Sequence, residues 1–290
     1  MEVLTRVLSA VVAIPLAVIL IFWNPPLAHC PHGIPFAVAV GLVAIAGTHE
    51  YYNGVRKLKA RPVEVLGLLA VALFVVSALG YGRSQIGAIF PAVLTLLLMA
   101  SFCVELLREN RAPLVNVGAT VFGAIYVGWL IMHLVVLREL PGKVTVGPYI
   151  RDAGAWLVMM AFICTWVSDT GAFFVGKFFG KKKLAPKLSP NKTVEGSIGG
   201  FVGAMASAII VGTIIAIPWY HSLVLGAIMG VLCQLGDLSE SAIKREMGLK
   251  DFGHVLPGHG GVLDRMDSML FTGPAMYYYV VLFLVNWPKH

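Results

Sequence analysis

The chain has 290 residues, of which 58% are hydrophobic and only 13% are charged. An average soluble domain carries about 25% charged residues. With a mean hydropathy of +0.82, the chain has too little polar surface for a water-exposed globule, and the disordered, collagen-like and coiled-coil classes are excluded as well. The composition predicts an all-α, polytopic membrane protein whose partner is the lipid bilayer.

The net charge is +7, from 22 basic and 15 acidic residues. Nucleic-acid binding can explain a basic balance, but in a membrane protein the anionic cytoplasmic leaflet and the positive-inside rule explain it first. Phosphorylated substrates are a third explanation, and we expect no nucleic-acid partner. The four cysteines are scattered without a CxxC pair, so they predict neither a disulfide framework nor a zinc site.

Nine apolar runs approach the length of about 20 residues that a membrane-spanning helix needs. They cover residues 7–23, 34–53, 62–80, 86–107, 114–137, 153–176, 196–217, 221–243 and 267–286. Runs seven and eight are separated by only a few residues, which predicts a tight antiparallel helical hairpin. Five runs fall in an N-terminal region, 1–150, and four in a C-terminal region, 151–290, which holds the unusual polar residues.

The distribution of basic residues predicts an orientation. If the N-terminus is cytoplasmic, the cytoplasmic segments hold 17 of the 22 Lys and Arg residues and the outer segments hold 5. For about nine transmembrane helices, this asymmetry predicts a cytoplasmic N-terminus. We expect the protein in the cell inner membrane. Substrate binding is a second explanation for the two most basic loops.

Polar residues concentrate in three stretches of the C-terminal region: 168–171 within the sixth run, the loop 180–196, and 236–267. Asp169, Asp237 and Glu50 each follow the outer end of their run by about 16 residues, which is about 24 Å along a helix. Asp264 and Asp267 open the ninth run from the cytoplasmic side. We therefore expect several carboxylates at one level, just beneath the cytoplasmic interface.

Carboxylates inside a span are costly unless they are paired, hydrated or bound to a cation. Oxygen ligands facing phosphates are the usual Mg²⁺ arrangement, and nearby Lys and Arg hold phosphate oxygens. Gly258, Gly260 and Gly261 permit close approach of the backbone to an anion. The combination predicts phosphoryl or nucleotidyl transfer at a membrane surface, with metal binding favoured for Asp237, Asp264 and Asp267.

Structural interpretations compete with each of these roles. The three aspartates could form ion pairs with Arg245 or Arg265, and Asp267 could serve a helix dipole in the first turn of its helix. Asp169 could be a hydrogen-bonding residue in helix packing.

The basic residues and the loop have structural alternatives as well. Lys244 and Arg245 could snorkel to the interface, and the lysines of 181–183 fit a positive-inside anchor. The segment from Ser189 to Thr193 could be a loop and an N-cap. His259 has no second zinc ligand at a suitable spacing, which favours phosphate contact or proton handling over metal.

The run from Ser241 to Asp267, SAIKR-x4-KDFG-x2-LPGHGGVLDRMD, closely resembles the hallmark motif of the phosphatidate cytidylyltransferase (CDP-diacylglycerol synthase) family. So many fixed polar positions make the resemblance specific. A second segment, SDTGAFFVGKFFGKKKL followed by SPNKTVEG, resembles another conserved stretch of the family. The resemblance covers roughly the C-terminal 120 residues, and the N-terminal half matches only as a series of spans.

The resemblance implies that CTP and phosphatidic acid react to give CDP-diacylglycerol and pyrophosphate, with Mg²⁺ and a possible second cation as cofactors. It implies a homodimer with its active site facing the cytoplasm. The family's metal-holding aspartates correspond to Asp237 and Asp264. The site residues that it implies are Lys244, Arg245, Lys250, Asp251, His259, Arg265 and Asp267, with Asp169, Ser189, Lys192 and Thr193 as substrate-binding candidates.

A phosphate monoester is largely ionised near neutral pH, since its second pKa is about 6. The attacking phosphate of phosphatidate therefore scarcely needs a general base, and His259 is assigned by hypothesis to positioning or to pyrophosphate. The rival hypotheses are a CTP-dependent lipid kinase, a transporter of a phosphorylated metabolite and a structural lipid-binding protein. The spacing typical of CDP-alcohol phosphotransferases is absent from the sequence.

Overall fold

The computed structural model describes residues 2–24, 33–80, 89–109, 111–253, 260–284 and 287. Within these ranges the regular structure is mainly α-helical, and two short antiparallel hairpins accompany ten α-helices. Packing divides the chain into two units, Met1–Glu139 with Lys244–Met266 and Leu140–Ile243 with Asp267–His290. The hallmark motif therefore belongs mostly to the first unit, although its sequence neighbours on both sides belong to the second.

The first unit contains six α-helices and two shorter helical elements. They are α1 Glu2–Phe22, α2 Ile34–Arg56, α3 Glu64–Leu79, α4 Ile89–Leu106, α5 Pro113–Gly123, a π-helix Ala124–Trp129, α6 Leu130–Arg138 and a 3₁₀ helix Leu263–Arg265. Proline occupies the first turn of α2 and of α5, where its missing N–H group costs nothing. The Tyr52 hydroxyl donates to the Thr120 carbonyl oxygen at 2.7 Å, which ties α2 to α5.

The second unit contains four long helices and the two hairpins. Its elements are β1 Lys143–Val146, β2 Tyr149–Asp152, α7 Ala153–Phe179, β3 Lys183–Ala185, β4 Ser189–Thr193, α8 Val194–Ile214, α9 Trp219–Glu246 and α10 Met269–Phe283. Helix α9 continues three residues beyond Ile243, where the first segment of this unit ends. Neither hairpin was expected, because strands of three to five residues are too short to produce a clear alternating pattern.

Glycines bring α7 and α8 into close contact. A Cβ atom on Gly171 would lie 2.9 Å from the carbonyl oxygen of Gly199, and one on Gly200 would lie 2.8 Å from the carbonyl oxygen of Ser168. Small residues at a helix crossing allow this approach in membrane proteins, where packing replaces the hydrophobic effect. The crossing places Ser168 and Asp169 beside the beginning of α8.

Six described helices are long and apolar enough to cross a membrane, and three shorter apolar helices accompany them. This agrees with an all-α membrane protein, while the number of nine spans and the orientation stay predictions. The antiparallel hairpin predicted from runs seven and eight is confirmed, since Gly226 packs on Met205 and Gly230 on Phe201. Helix α10 begins at Met269 instead of 267, so Asp267 lies two residues before the helix and outside its first turn.

Replacing Gly171 with alanine should destabilise the protein by about 1–3 kcal/mol, because the new methyl group would overlap backbone atoms that cannot rotate away. Thermal unfolding in detergent measures the change. Gly118→Ala is the matched control, since a Cβ atom there has no neighbour within 4 Å. Equal melting temperatures for the two variants would contradict the packing described for α7 and α8.

Candidate active site

Three carboxylates of the second unit converge. Asp237 and Glu240 lie one turn apart on the same face of α9, and Asp267 lies two residues before α10. One oxygen from each of the three lies within 4.8 Å of the others. Glu240 is fully buried, and Asp237 and Asp267 are half-buried. Negative charges this close repel one another, so the arrangement favours a bound cation.

Gly236 explains how Asp267 reaches the other two carboxylates. A Cβ atom on Gly236 would lie 2.6 Å from the carbonyl oxygen of Asp267 and 3.1 Å from Cα of Ser268. The Ser268 hydroxyl donates to the Cys233 carbonyl oxygen at 3.1 Å, one turn earlier on α9. The chain before α10 is therefore held directly against α9.

The β3–β4 hairpin supplies the positive charge beside this cluster. Lys192 on β4 forms an ion pair with Asp237. Thr193 is the N-cap of α8, with its hydroxyl oxygen accepting a hydrogen bond from the Gly196 N–H group at 3.1 Å. The Glu195 carboxylate accepts from the backbone N–H groups of Lys181 at 2.9 Å and Lys182 at 3.2 Å. The N-cap predicted for this loop is confirmed, and the cap and the carboxylate together fix the hairpin to α8.

A cavity of about 490 Å³ is lined by residues of α7, the β3–β4 hairpin, the beginning of α8 and the face of α9 that carries Asp237. This volume falls in the range of small-molecule sites. Its polar lining includes Asp169, Lys177, Asn191, Lys192, Thr193 and Asp237, and its apolar lining includes Ala172, Phe173 and Leu184. The cavity thus combines cationic and carboxylate groups with an apolar wall, as a phosphorylated lipid or nucleotide requires.

Asp264 lies in the first unit and is surrounded by donors. Its Oδ1 atom accepts from Lys244 Nζ at 2.7 Å, and its Oδ2 atom accepts from the backbone N–H groups of Phe252 at 2.9 Å and Gly261 at 2.8 Å. Burial acts to raise the pKa of Asp264, but the Lys244 ammonium and the two backbone donors outweigh it and lower the pKa below its usual range. Asp264 is therefore an anion that organises the backbone of the hallmark motif.

The remaining predicted residues fall in different places. Arg245 is exposed and donates to the Leu249 carbonyl oxygen at 2.8 Å, and Lys250 and Arg265 are exposed as well. Asp251 is half-buried. Ser189 pairs with Ala185 across the hairpin and does not line the cavity. His259 lies outside the described residues.

The structure groups the predicted residues differently from the sequence. Asp237 and Asp264, predicted together as metal ligands, belong to different units, and each has its own polar neighbours. Asp169 is placed in the cavity, where it accepts a weak hydrogen bond from the Cys233 thiol at 3.4 Å.

The sequence analysis missed the part that three residues play in these polar networks. Glu240 could have been found from its spacing of three from Asp237 on a predicted helix. Gln234 lines the cavity, and its side-chain amide nitrogen donates to the carbonyl oxygens of Ser197 at 2.9 Å and Gly230 at 3.0 Å, although nothing in the sequence distinguishes it from an ordinary interfacial amide. Glu50 was expected at the depth of the other carboxylates, and the sequence did not decide whether it supports the site or is structural.

The chain belongs to the cytidylyltransferase family, whose model matches residues 4–283. It is similar over nearly its whole length to proteins named phosphatidate cytidylyltransferase. The Synechocystis relative is 33% identical over 96% of this chain and 97% of its own, and the Bacillus subtilis relative is 33% identical over 97% of both. The Mycobacterium leprae relative is 35% identical over 82% of this chain and 84% of its own. The family expected from the hallmark motif is confirmed.

The Asp264→Asn variant should lose about 3–5 kcal/mol of stability at neutral pH, because Lys244 is left buried without its anion. Since the folded pKa of Asp264 is below its ordinary value of about 3.9, the stability due to this group is complete above that value and is lost as the pH falls through the folded pKa. Unfolding of both proteins from neutral pH to about pH 3 measures the difference. A gap that stays constant on acidification would refute the assignment.

Proposed function

We propose that the protein transfers CMP from CTP to phosphatidic acid, giving CDP-diacylglycerol and pyrophosphate for phospholipid synthesis. The observation that carries the proposal is the convergence of Asp237, Glu240 and Asp267. Asp237 also lines a cavity that presents Lys177 and Lys192. The relatives similar over the whole chain are named for this activity. The hallmark motif supports the same conclusion.

Magnesium fits the donor set of the carboxylate cluster. Carboxylate oxygens are the ligands that Mg²⁺ prefers, and the ion is usually shared between one or two carboxylates and substrate phosphates. We propose that Asp237, Glu240 and Asp267 hold it, with room in the same cluster for the possible second cation. When bound, the ion would neutralise charge on the phosphates of CTP. The metal role of Asp264 stays a prediction from the family resemblance.

The chain's own residues provide charge neutralisation and positioning. Two polyanions must be brought together, and Lys177 and Lys192 lower the repulsion between them at the cavity. Ala172, Phe173 and Leu184 offer an apolar wall for the acyl part of the lipid. Because the phosphate of phosphatidate is already ionised near neutral pH, no described side chain needs to remove a proton from it. Lys244, Arg245, Lys250 and Arg265 keep their predicted roles toward phosphate, and Asp251 stays a predicted site residue.

The cellular setting is proposed on the same basis. We propose nine spans, a cytoplasmic N-terminus and an active site facing the cytoplasm of the inner membrane, supported by the apolar helices and by the asymmetry of basic residues. A homodimer is proposed from the family resemblance. Chemical cross-linking in native membranes tests the oligomer, and labelling of single engineered cysteines in the loops tests the orientation.

Purified protein with CTP, phosphatidic acid and Mg²⁺ should release CDP-diacylglycerol and pyrophosphate in equal amounts. Chelation with EDTA should abolish turnover, and added Mg²⁺ should restore it. Release of CDP together with a phosphorylated lipid alcohol, when diacylglycerol or a polyprenol replaces phosphatidic acid, would instead identify a lipid kinase. Absence of turnover by folded protein with every lipid would refute the proposed activity.

Asp237→Asn and Glu240→Gln should each lower kcat by about 10²-fold or more, since each replaces a carboxylate of the proposed ion site with a neutral amide. Their half-saturating Mg²⁺ concentration should rise as well. The control is Asp152→Asn, which removes a half-buried carboxylate at the start of α7, outside the cavity. An unchanged Mg²⁺ dependence in both site variants would exclude these residues as ligands.

A further inference from the structure

A buried carboxylate of the N-terminal region binds the backbone of the hallmark motif. Glu50 lies on α2, more than 200 residues before its hydrogen-bond partners in the motif, and is only 5% exposed. Its Oε1 atom accepts from the Val262 N–H group at 3.0 Å, and its Oε2 atom accepts from the Leu263 N–H group at 2.9 Å. Both residues lie at the beginning of the 3₁₀ helix that contains Asp264 and Arg265.

The surroundings of Glu50 are shaped for this contact. A Cβ atom on Gly253 would lie 2.9 Å from Cδ of Glu50, and one on Gly261 would lie 2.8 Å from the same atom. Both glycines belong to the motif, and any larger residue at either position would displace the carboxylate. The Glu50 carboxylate therefore fits in this position only because residues 253 and 261 are both glycine.

The face of α2 that carries Glu50 is adapted as well. Gly47 and Gly54 precede and follow Glu50 by three and four residues, so all three share one face of the helix. A Cβ atom on Gly47 would lie 3.6 Å from Cβ of Leu263, and one on Gly54 would lie 2.7 Å from Sδ of Met247. The two glycines allow Met247 and Leu263 to approach α2 closely on either side of the carboxylate.

Glu50 and Asp264 divide the donors of the motif between them. Asp264 binds the N–H groups of Phe252 and Gly261, whereas Glu50 binds those of Val262 and Leu263. Three consecutive N–H groups, from residues 261 to 263, thus donate to two carboxyl side chains. Hydrogen bonds at three adjacent positions leave the backbone here little freedom to change direction.

We propose that Glu50 is a positioning residue for the reaction, which fixes the backbone from Gly261 to Leu263 and through it the direction of Asp264 and Arg265. This inference rests on the proposed function, because the motif residues are taken to serve nucleotidyl transfer. Glu50 touches no substrate in this account. Its effect is transmitted entirely through two backbone hydrogen bonds.

The test is Glu50→Gln, which keeps the size of the side chain but replaces one acceptor oxygen with an NH₂ group. We expect kcat to fall by about 10²-fold, the scale typical of a small misplacement of catalytic groups, with a much smaller change in KM for CTP. Hydrogen exchange of the segment 260–265 should become faster. Wild-type kcat together with wild-type exchange in this segment would overturn the proposal.

The matched control is Glu105→Gln. Glu105 is 1% exposed and accepts from the Ala112 N–H group at 2.7 Å and from the Asn116 amide at 2.8 Å, so it is a buried carboxylate of the same unit outside the motif. Its variant should accelerate exchange around 105–116 and keep the wild-type kcat per folded molecule. An equal loss of kcat in both variants would mean that Glu50 is only structural, and would overturn the proposal.

A second variant keeps the test decisive if Glu50→Gln does not fold. Gly253→Ala places a methyl group against the Glu50 carboxylate and should likewise lower kcat and accelerate exchange of 260–265, with Gly118→Ala as its control. Unchanged exchange in Gly253→Ala would contradict the proposal. Should the wild-type protein produce no CDP-diacylglycerol, the proposed function fails, whereas the exchange data still decide whether Glu50 holds the motif.

Discussion

Burying a carboxylate in an apolar helical chain costs free energy unless donors or cations surround it. The buried carboxylates within each unit satisfy this constraint in different ways. Glu50 meets it with two backbone N–H groups, and Asp264 with two more and the Lys244 ammonium. Asp237, Glu240 and Asp267 meet it differently, by gathering where a shared cation would be stabilised. The first two carboxylates organise backbone, and the third group is suited to catalysis.

Glycines allow the constraint to be met, because a carboxylate can accept hydrogen bonds from the backbone only where the backbone comes close to it. Gly261 gives room to Glu50, and Gly236 brings the Asp267 backbone against α9. The same residue type joins α7 to α8 at Gly171 and Gly200 and so shapes one wall of the cavity. Several of the 31 glycines of the chain therefore allow a neighbouring segment of backbone to pack closely.

Much of the fold and part of the site could be predicted because their signals are local. Apolar runs of membrane-spanning length and the short link between runs seven and eight correspond to helices and to the hairpin of α8 and α9. Thr193 was recognisable as a possible N-cap from its residue type and place. The two β-hairpins and the role of Glu50 could not be predicted, since short strands give no periodic signal and a contact across more than 200 residues gives no local one.

The sequence by itself determined the membrane class and the family, because composition and a long polar motif depend only on which residues are present and in what order. Tertiary structure alone decided which carboxylates converge and which accept hydrogen bonds from the backbone. Asp237 joins Glu240 and Asp267, whereas Asp264 joins Lys244. The reason is physical: the charge state and role of a buried carboxylate depend on the donors within hydrogen-bonding distance, and those are assembled only when distant segments pack together.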